Sequence, residues 1–315
     1  MSTTFAEAVK TGLQQAKKSL PSTYFYNERG NWLYHQIMQL PEYYLNDCEI
    51  DTLTKQKEVL LQYFGAAQQP FNLIDLGAGD GSKTKILLDH FLKKGAAFEY
   101  TPIDIAPSTL SALSESLDAA FPTLRYQALN MDYWDALEQL QTNGSKDRKV
   151  VLFLGSNIGN LPAEQIQPFL QQLRASLHKG DLILVGFDLK KRPEIIYQAY
   201  LDTKGTTAAF NLNLLHRINQ ELGGNFKPNY FRYYPYYNPQ TGEVMSHLVS
   251  QKQQTVRIEQ LDMEVQFEQW ESIHTEVAKK YTLSQIEQLA QDTGFALKQH
   301  FVDEKNYFVN TLLEV

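Results

Sequence analysis

Apolar positions recur along this chain in two rhythms. Between Phe71 and Asp188, short apolar runs alternate with helical stripes. Phe71-Asn-Leu-Ile-Asp-Leu76, bounded by Pro70 and Gly77, reads as a buried parallel strand. Ile86, Leu87, Leu88, Phe91 and Leu92 then form a helical stripe ending near Gly95. A strand over Phe98 to Ile105 leads to Pro107-Ser108, where Ser108 is the expected N-cap of a helix carrying Leu110, Leu113, Leu117 and Phe121. Further strands are predicted at Leu124 to Leu129, Val150 to Leu154 and Asp181 to Phe187. Ile166, Phe169, Leu170, Leu173 and Leu177 supply the helix between the last two. Five β/α repeats with short links predict a parallel, doubly wound sheet.

The end of the chain extends that sheet. Thr282-Leu-Ser-Gln285 has the spacing of a capping box, and Gly294 ends the helix it opens. Phe295 to Val302 and Tyr307 to Val315 then read as an antiparallel pair. A mostly parallel sheet closed by a terminal hairpin resembles the layout of class I methyltransferases. Residues 1–61 are largely helical and aromatic, and residues 190–281 begin helical and turn strand-rich after Phe231. The expected organisation is therefore interleaved. A Rossmann-like domain spans 62–189 and 282–315, and a second α+β lobe is built from 1–61 and 190–281.

Composition narrows the function. The formal charge of −7 opposes nucleic acid or an anionic membrane as the main partner, because both reward basic surface. A single cysteine, Cys48, excludes an internal disulfide and a multi-cysteine zinc site. No apolar run approaches the ~18 residues of a spanning helix, and Met1 to Leu20 shows no apolar signal region. A cytoplasmic protein is the expectation. His274-Thr-Glu276 superficially matches the His-x-Glu of zinc deaminases, but no Cys-x-x-Cys follows, so no metal is expected. Tyrosine leads the aromatic residues, with 18 copies.

The first strand opens into Gly77-Ala-Gly-Asp-Gly81, where glycines let backbone approach a ligand. The third glycine of the dinucleotide fingerprint is replaced by Ser82. Asp80 opposes a pyrophosphate and suits a cation, and S-adenosylmethionine (SAM) is a sulfonium without phosphate. Asp104 ends strand two, where a carboxylate can accept both ribose hydroxyls. Asp132, after Asn130 at the end of strand three, can accept from an adenine amino group. These stations in order fit a nucleoside lying across the carboxyl edge of a sheet.

Several segments resemble the SAM-dependent histidine Nα-methyltransferases of ergothioneine biosynthesis. They include Tyr26-Asn-Glu-Arg-Gly30, Leu40-Pro-Glu-Tyr-Tyr44, Leu76-Gly-Ala-Gly-Asp-Gly-Ser-Lys-Thr84 and Gly155-Ser-Asn-Ile-Gly-Asn-Leu161. Ala199-Tyr200, Gly205-Thr-Thr-Ala-Ala-Phe-Asn211, Ile218-Asn-Gln-Glu-Leu222 and Thr275-Glu-Val-Ala-Lys-Lys-Tyr281 complete the set, so the resemblance runs from about residue 20 to 281. It implies N-methylation of the α-amine of histidine or a related amino acid, with SAM as cosubstrate, no metal, and a chain acting as a monomer. It places Tyr26 near cofactor and amine, and gives the amino acid carboxylate to Asn160 and Tyr200. It lines the side-chain pocket with Tyr43, Glu276 and Met245, with Glu276 gripping an imidazole N–H. Gly77, Gly79, Lys83, Asp104, Asp132 and Ser156 match cofactor positions. Two departures stand out: Ala278 replaces a serine that would give a second imidazole hydrogen bond, and Asn157 replaces a threonine. They leave open another small amine as acceptor, or a SAM-binding protein without catalysis.

Overall fold

The computed structural model describes residues 4–65, 69–142 and 147–315, so the parts of the expected domains at 1–3, 66–68 and 143–146 lie outside the described residues. The chain divides into two compact units, each built from separated segments. Unit 1 is Met1–Tyr44 with Lys191–Lys279, and unit 2 is Leu45–Lys190 with Lys280–Val315.

Unit 1 begins with helices α1 (Phe5–Gln14) and α2 (Glu28–Met38). Thr4 and Glu7 close a reciprocal capping box on α1, and Asn27 caps α2 through the Gly30 amide at 2.9 Å. The chain then enters unit 2 along α3 (Tyr44–Phe64). The expectation that residues up to 61 belong with the second lobe is therefore corrected. Leu53, Leu60 and Phe64 of α3 are buried beside Phe71, Leu73 and Phe91, which draws the helix onto the sheet of unit 2.

In unit 2, β1 (Phe71–Leu76), β2 (Phe98–Asp104), β3 (Leu129–Asn130), β4 (Arg148–Phe153) and β5 (Leu182–Asp188) pair in parallel. The helices between them are α4 (Thr84–Lys93), α5 (Pro107–Ala120), α6 (Tyr133–Thr142) and α7 (Ala163–Ala175). The central strand β4 buries both faces: Val150 and Leu152 face α3–α5, while Val151 and Phe153 face α6 and α7. Two expectations change in detail. Pro107 takes the first position of α5 and Ala106 the cap, so Ser108 lies inside the helix. The run from Leu124 to Leu129 forms only an isolated bridge, Tyr126 to Tyr100, before the two-residue β3, because it sits at the outer edge of the sheet.

Unit 1 resumes with α8 (Pro193–Tyr200) and α9 (Thr206–Leu222), the latter capped by Gly223 in the left-handed conformation. An antiparallel three-stranded sheet follows from β6 (Phe231–Asn238), β7 (Glu243–Ser250) and, beyond the small pair β8 (Gln254–Ile258) and β9 (Met263–Phe267), β10 (Ser272–Lys279). Phe210, Leu214, Leu215 and Ile218 of α9 pack with Tyr233, Leu248 and Ile273 as the core of this unit.

The last segment returns to unit 2. Helix α10 (Leu283–Asp292) carries the predicted capping box of Thr282 and Gln285. Strands β11 (Ala296–Val302) and β12 (Phe308–Glu314) form the predicted hairpin, with β12 antiparallel to β5. The strand order β11-β12-β5-β4-β1-β2-β3 is a doubly wound sheet with an antiparallel edge. The described part of unit 2 is thus a class I methyltransferase fold. No helix among the described residues is long and apolar enough to cross a membrane.

Candidate active site

The carboxyl edge of the unit 2 sheet carries the expected cofactor residues. Beyond β1 the backbone turns with positive φ at Gly77 (+76°) and Gly79 (+57°). A Cβ at Gly77 would lie 2.7 Å from the Tyr133 hydroxyl and 2.9 Å from the Asn157 amide nitrogen, whereas nothing lies within 4 Å of one at Gly79. The loop is therefore closed on one side and open on the other, as a cradle for a ligand requires.

Asp104 accepts from the Gly79 amide at 3.0 Å and from the Ala106 amide at 2.9 Å, one through each carboxylate oxygen. Burial pushes its pKa up, against the pull of these amides. Each oxygen keeps a second lone pair, which two ribose hydroxyls can use. Asp132 accepts from the Asp135 amide at 2.9 Å at the start of α6, and the Asn130 side chain donates to the Asp104 carbonyl at 2.9 Å. Ser156 holds a left-handed conformation and accepts from the Asp188 amide at 3.1 Å, so it braces the loop after β4. Asn160 closes the short 3-10 turn of that loop.

Lys83 lies 2.7 Å from the carboxylate of Glu49, which is fully buried. Glu49 also accepts from the Gly155 amide at 2.9 Å and from the Asn310 side chain at 2.9 Å. Sequence reasoning missed Glu49. Its signal was present, a carboxylate within the apolar stripe of Leu45, Leu53 and Leu60 on α3.

Unit 1 carries the expected acceptor residues other than Asn160, which lies in unit 2. The Tyr26 ring stands edge-on to Tyr34 at 5.8 Å and to Phe210 at 5.9 Å between centroids. Burial raises the pKa of the Tyr43 hydroxyl well above the usual phenol range, reinforced by the neighbouring phenols of Tyr34, Tyr200 and Tyr26. Four tyrosines therefore converge, of which Tyr34 was not anticipated. Tyr200 ends α8 and is buried.

On β10, a bulge between His274 and Glu276 makes Thr275 the extra residue, with its hydroxyl 2.7 Å from Asn211 Oδ1. Beyond the bulge Glu276 pairs with Ser246 and Ala278 with Val244, so these side chains share the sheet face of Tyr233 and Leu248. The Tyr233 hydroxyl lies 3.1 Å from Ser246 Oγ. Burial is the main reason the Tyr233 pKa is raised, and the charge of Glu276 adds to it. Met245 pairs with Val277 on the opposite face and is corrected out of this group. Alternation along β7 turns Ser246, not Met245, toward the side of Glu276.

The model of the histidine-specific, SAM-dependent methyltransferase family matches residues 5–315. The chain belongs to this family. It is 35% identical over 274 residues to histidine N-alpha-methyltransferase of Mycolicibacterium smegmatis, covering 87% of this chain and 83% of that protein. It is 33% identical to the Mycobacterium tuberculosis protein of the same name, with the same two coverages. Among solved structures, magnesium protoporphyrin IX methyltransferase of Synechocystis PCC 6803 with bound SAH aligns over 93% of this chain and 96% of that one, at TM-score 0.47 and 12% identity. For a family member the edge of unit 2 fits SAM. Gly79 leaves room for its backbone approach, and Asp104 and Asp132 suit a cationic nucleoside without phosphate.

Proposed function

We propose that this protein N-methylates the α-amine of histidine. The observation that carries the reading is the convergence of Tyr26, Tyr34, Tyr43 and Tyr200 in unit 1, with Glu276 in the same unit, in a chain that the family model matches over residues 5–315. In unit 2, Gly77, Gly79, Lys83, Asp104 and Asp132 are the residues that would hold SAM, with Ser156 bracing the adjoining loop. SAM supplies a methyl group made electrophilic by its sulfonium.

The residues of this chain bind and orient the acceptor. Asn160 and Tyr200 are the carboxylate donors that the family pattern assigns. Glu276 accepts from an imidazole N–H, a charge-assisted bond that a hydrocarbon side chain cannot make. Tyr26 accepts from the amine and turns its lone pair toward the displacement axis, so alignment and exclusion of water do the catalytic work. The raised pKa keeps the Tyr43 hydroxyl protonated, so it acts as a hydrogen-bonding wall and not as a base. The same reading makes the protein a cytoplasmic monomer acting on a free amino acid.

One observation favours a second reading. Ala278 is buried on the face of Glu276 and offers no hydrogen bond, which suits a side chain needing one polar partner instead of two. The discriminating experiment is mass spectrometry of histidine incubated with protein and SAM. Gain of one to three methyl groups, placed by fragmentation on the α-nitrogen, is expected. A methyl group on a ring nitrogen, or unchanged histidine with SAM bound, would contradict the reading.

A further inference from the structure

Two lysines at the carboxyl edge of unit 2 are each set against a carboxylate. Lys83 lies 2.7 Å from Glu49, and Lys280 lies 2.8 Å from Asp188. Lys85 donates to the Asp80 carbonyl at 2.9 Å, beside that residue's own carboxylate. Asp104 and Asp132 accept from backbone amides, so their charge is left for a ligand. Beneath the loop, the buried Asp75 takes hydroxyl donors from Thr84 at 2.6 Å and Tyr100 at 2.9 Å.

Glu49 is the least expected member of this set. A fully buried carboxylate costs heavily unless paired, and this one takes Lys83 together with the Gly155 and Asn310 amide groups. Its charge cancels that of Lys83 beside the cofactor loop. Without it, the surroundings of the residues that attract a cationic ligand would be one unit more positive.

We propose that Glu49, by neutralising Lys83, sets the site to prefer the sulfonium cosubstrate over the uncharged thioether product. The proposal rests on the assignment of unit 2 as the SAM site. SAM and S-adenosylhomocysteine (SAH) share nucleoside, carboxylate and amine; they differ by one methyl group and one positive charge. A packing role for Glu49 would weaken both alike, whereas a charge role changes their ratio.

The test is calorimetric titration of SAM and of SAH into wild type, Glu49→Gln and Glu49→Gln/Lys83→Gln. Glu49→Gln keeps the shape and removes the charge. The ratio of SAH to SAM dissociation constants should fall about three- to fifteen-fold, as expected for one charge acting over roughly 10 Å at an effective dielectric of about 20 to 50. The double variant restores neutrality and should recover the wild-type ratio, even if both ligands bind more weakly. Should Glu49→Gln not fold, Lys83→Gln alone carries the test, because leaving Glu49 unbalanced should raise the ratio. An unchanged ratio in Glu49→Gln, or in Lys83→Gln where that variant stands in, would overturn the proposal. A wild type that binds neither ligand would overturn the cofactor assignment itself.

Discussion

The two units build their candidate ligand surfaces by opposite means. Unit 2 uses backbone: a glycine turn, strand ends and carboxylates held by amides, with each buried lysine at that edge paired to an acid. Unit 1 uses side chains, with phenols from α2, α8 and the segments at Tyr26 and Tyr43 gathered around Tyr43, and Glu276 on a bulged strand of the same unit. The contrast teaches where specificity resides. A backbone cradle follows from the fold and is shared widely among nucleoside binders, whereas a phenol cluster must be assembled from positions far apart in sequence.

That contrast can be broken first at Tyr26. Tyr26→Phe should lower kcat about 100-fold, the order associated with losing the alignment of a reacting group, while the SAM dissociation constant moves little. Equal losses in both quantities, by steady-state kinetics and calorimetry, would remove Tyr26 from the acceptor side.

Unit 2 carries its own test in Asp75. Burial raises this carboxyl from 3.8 to about 6, so the folded protein favours the protonated form. The contribution of Asp75 to stability should therefore be fullest at acid pH and be lost as pH rises from about 4 through 6, by up to about 3 kcal/mol. Denaturant titrations of Asp75→Asn should show that slope flattened. An identical slope in wild type and variant would show that Asp75 carries no such shift.

Glu276→Ala should raise KM for histidine roughly 10- to 100-fold, the value of a hydrogen bond to a charged group, and leave SAM affinity unchanged. The smallest effect belongs to Ala278→Ser. Supplying a second imidazole partner should lower KM for histidine by up to about ten-fold. A rise in KM would mean that the natural acceptor does not use that edge.

Much of unit 2 was legible in the sequence, because buried parallel strands are written as continuous apolar runs and the Thr282 box has fixed spacing. Its edge was less so. The segment before Asn130 mixes polar and apolar residues, and pairing there depends on a single neighbouring strand. Likewise Asp104, by taking the Ala106 amide, leaves the start of α5 to Pro107 and not to Ser108.

In unit 1, alternation along β7 says which residues share a face but not which face meets Glu276. Met245 was therefore chosen one position out of phase. The bulge at Thr275 has no sequence signature, and Tyr34 looks like an ordinary residue on a helix. Glu49 was hidden for a different reason: its partners Lys83, Gly155 and Asn310 are distant in sequence, so only the fold brings them to it.

The most direct measurement is a parallel assay of the purified protein with SAM and each of the common amino acids, read by mass spectrometry. The account predicts that histidine gains methyl groups at its α-nitrogen with the highest kcat/KM of the set. Turnover confined to other amines, or SAM bound without consumption in the presence of histidine, would contradict it.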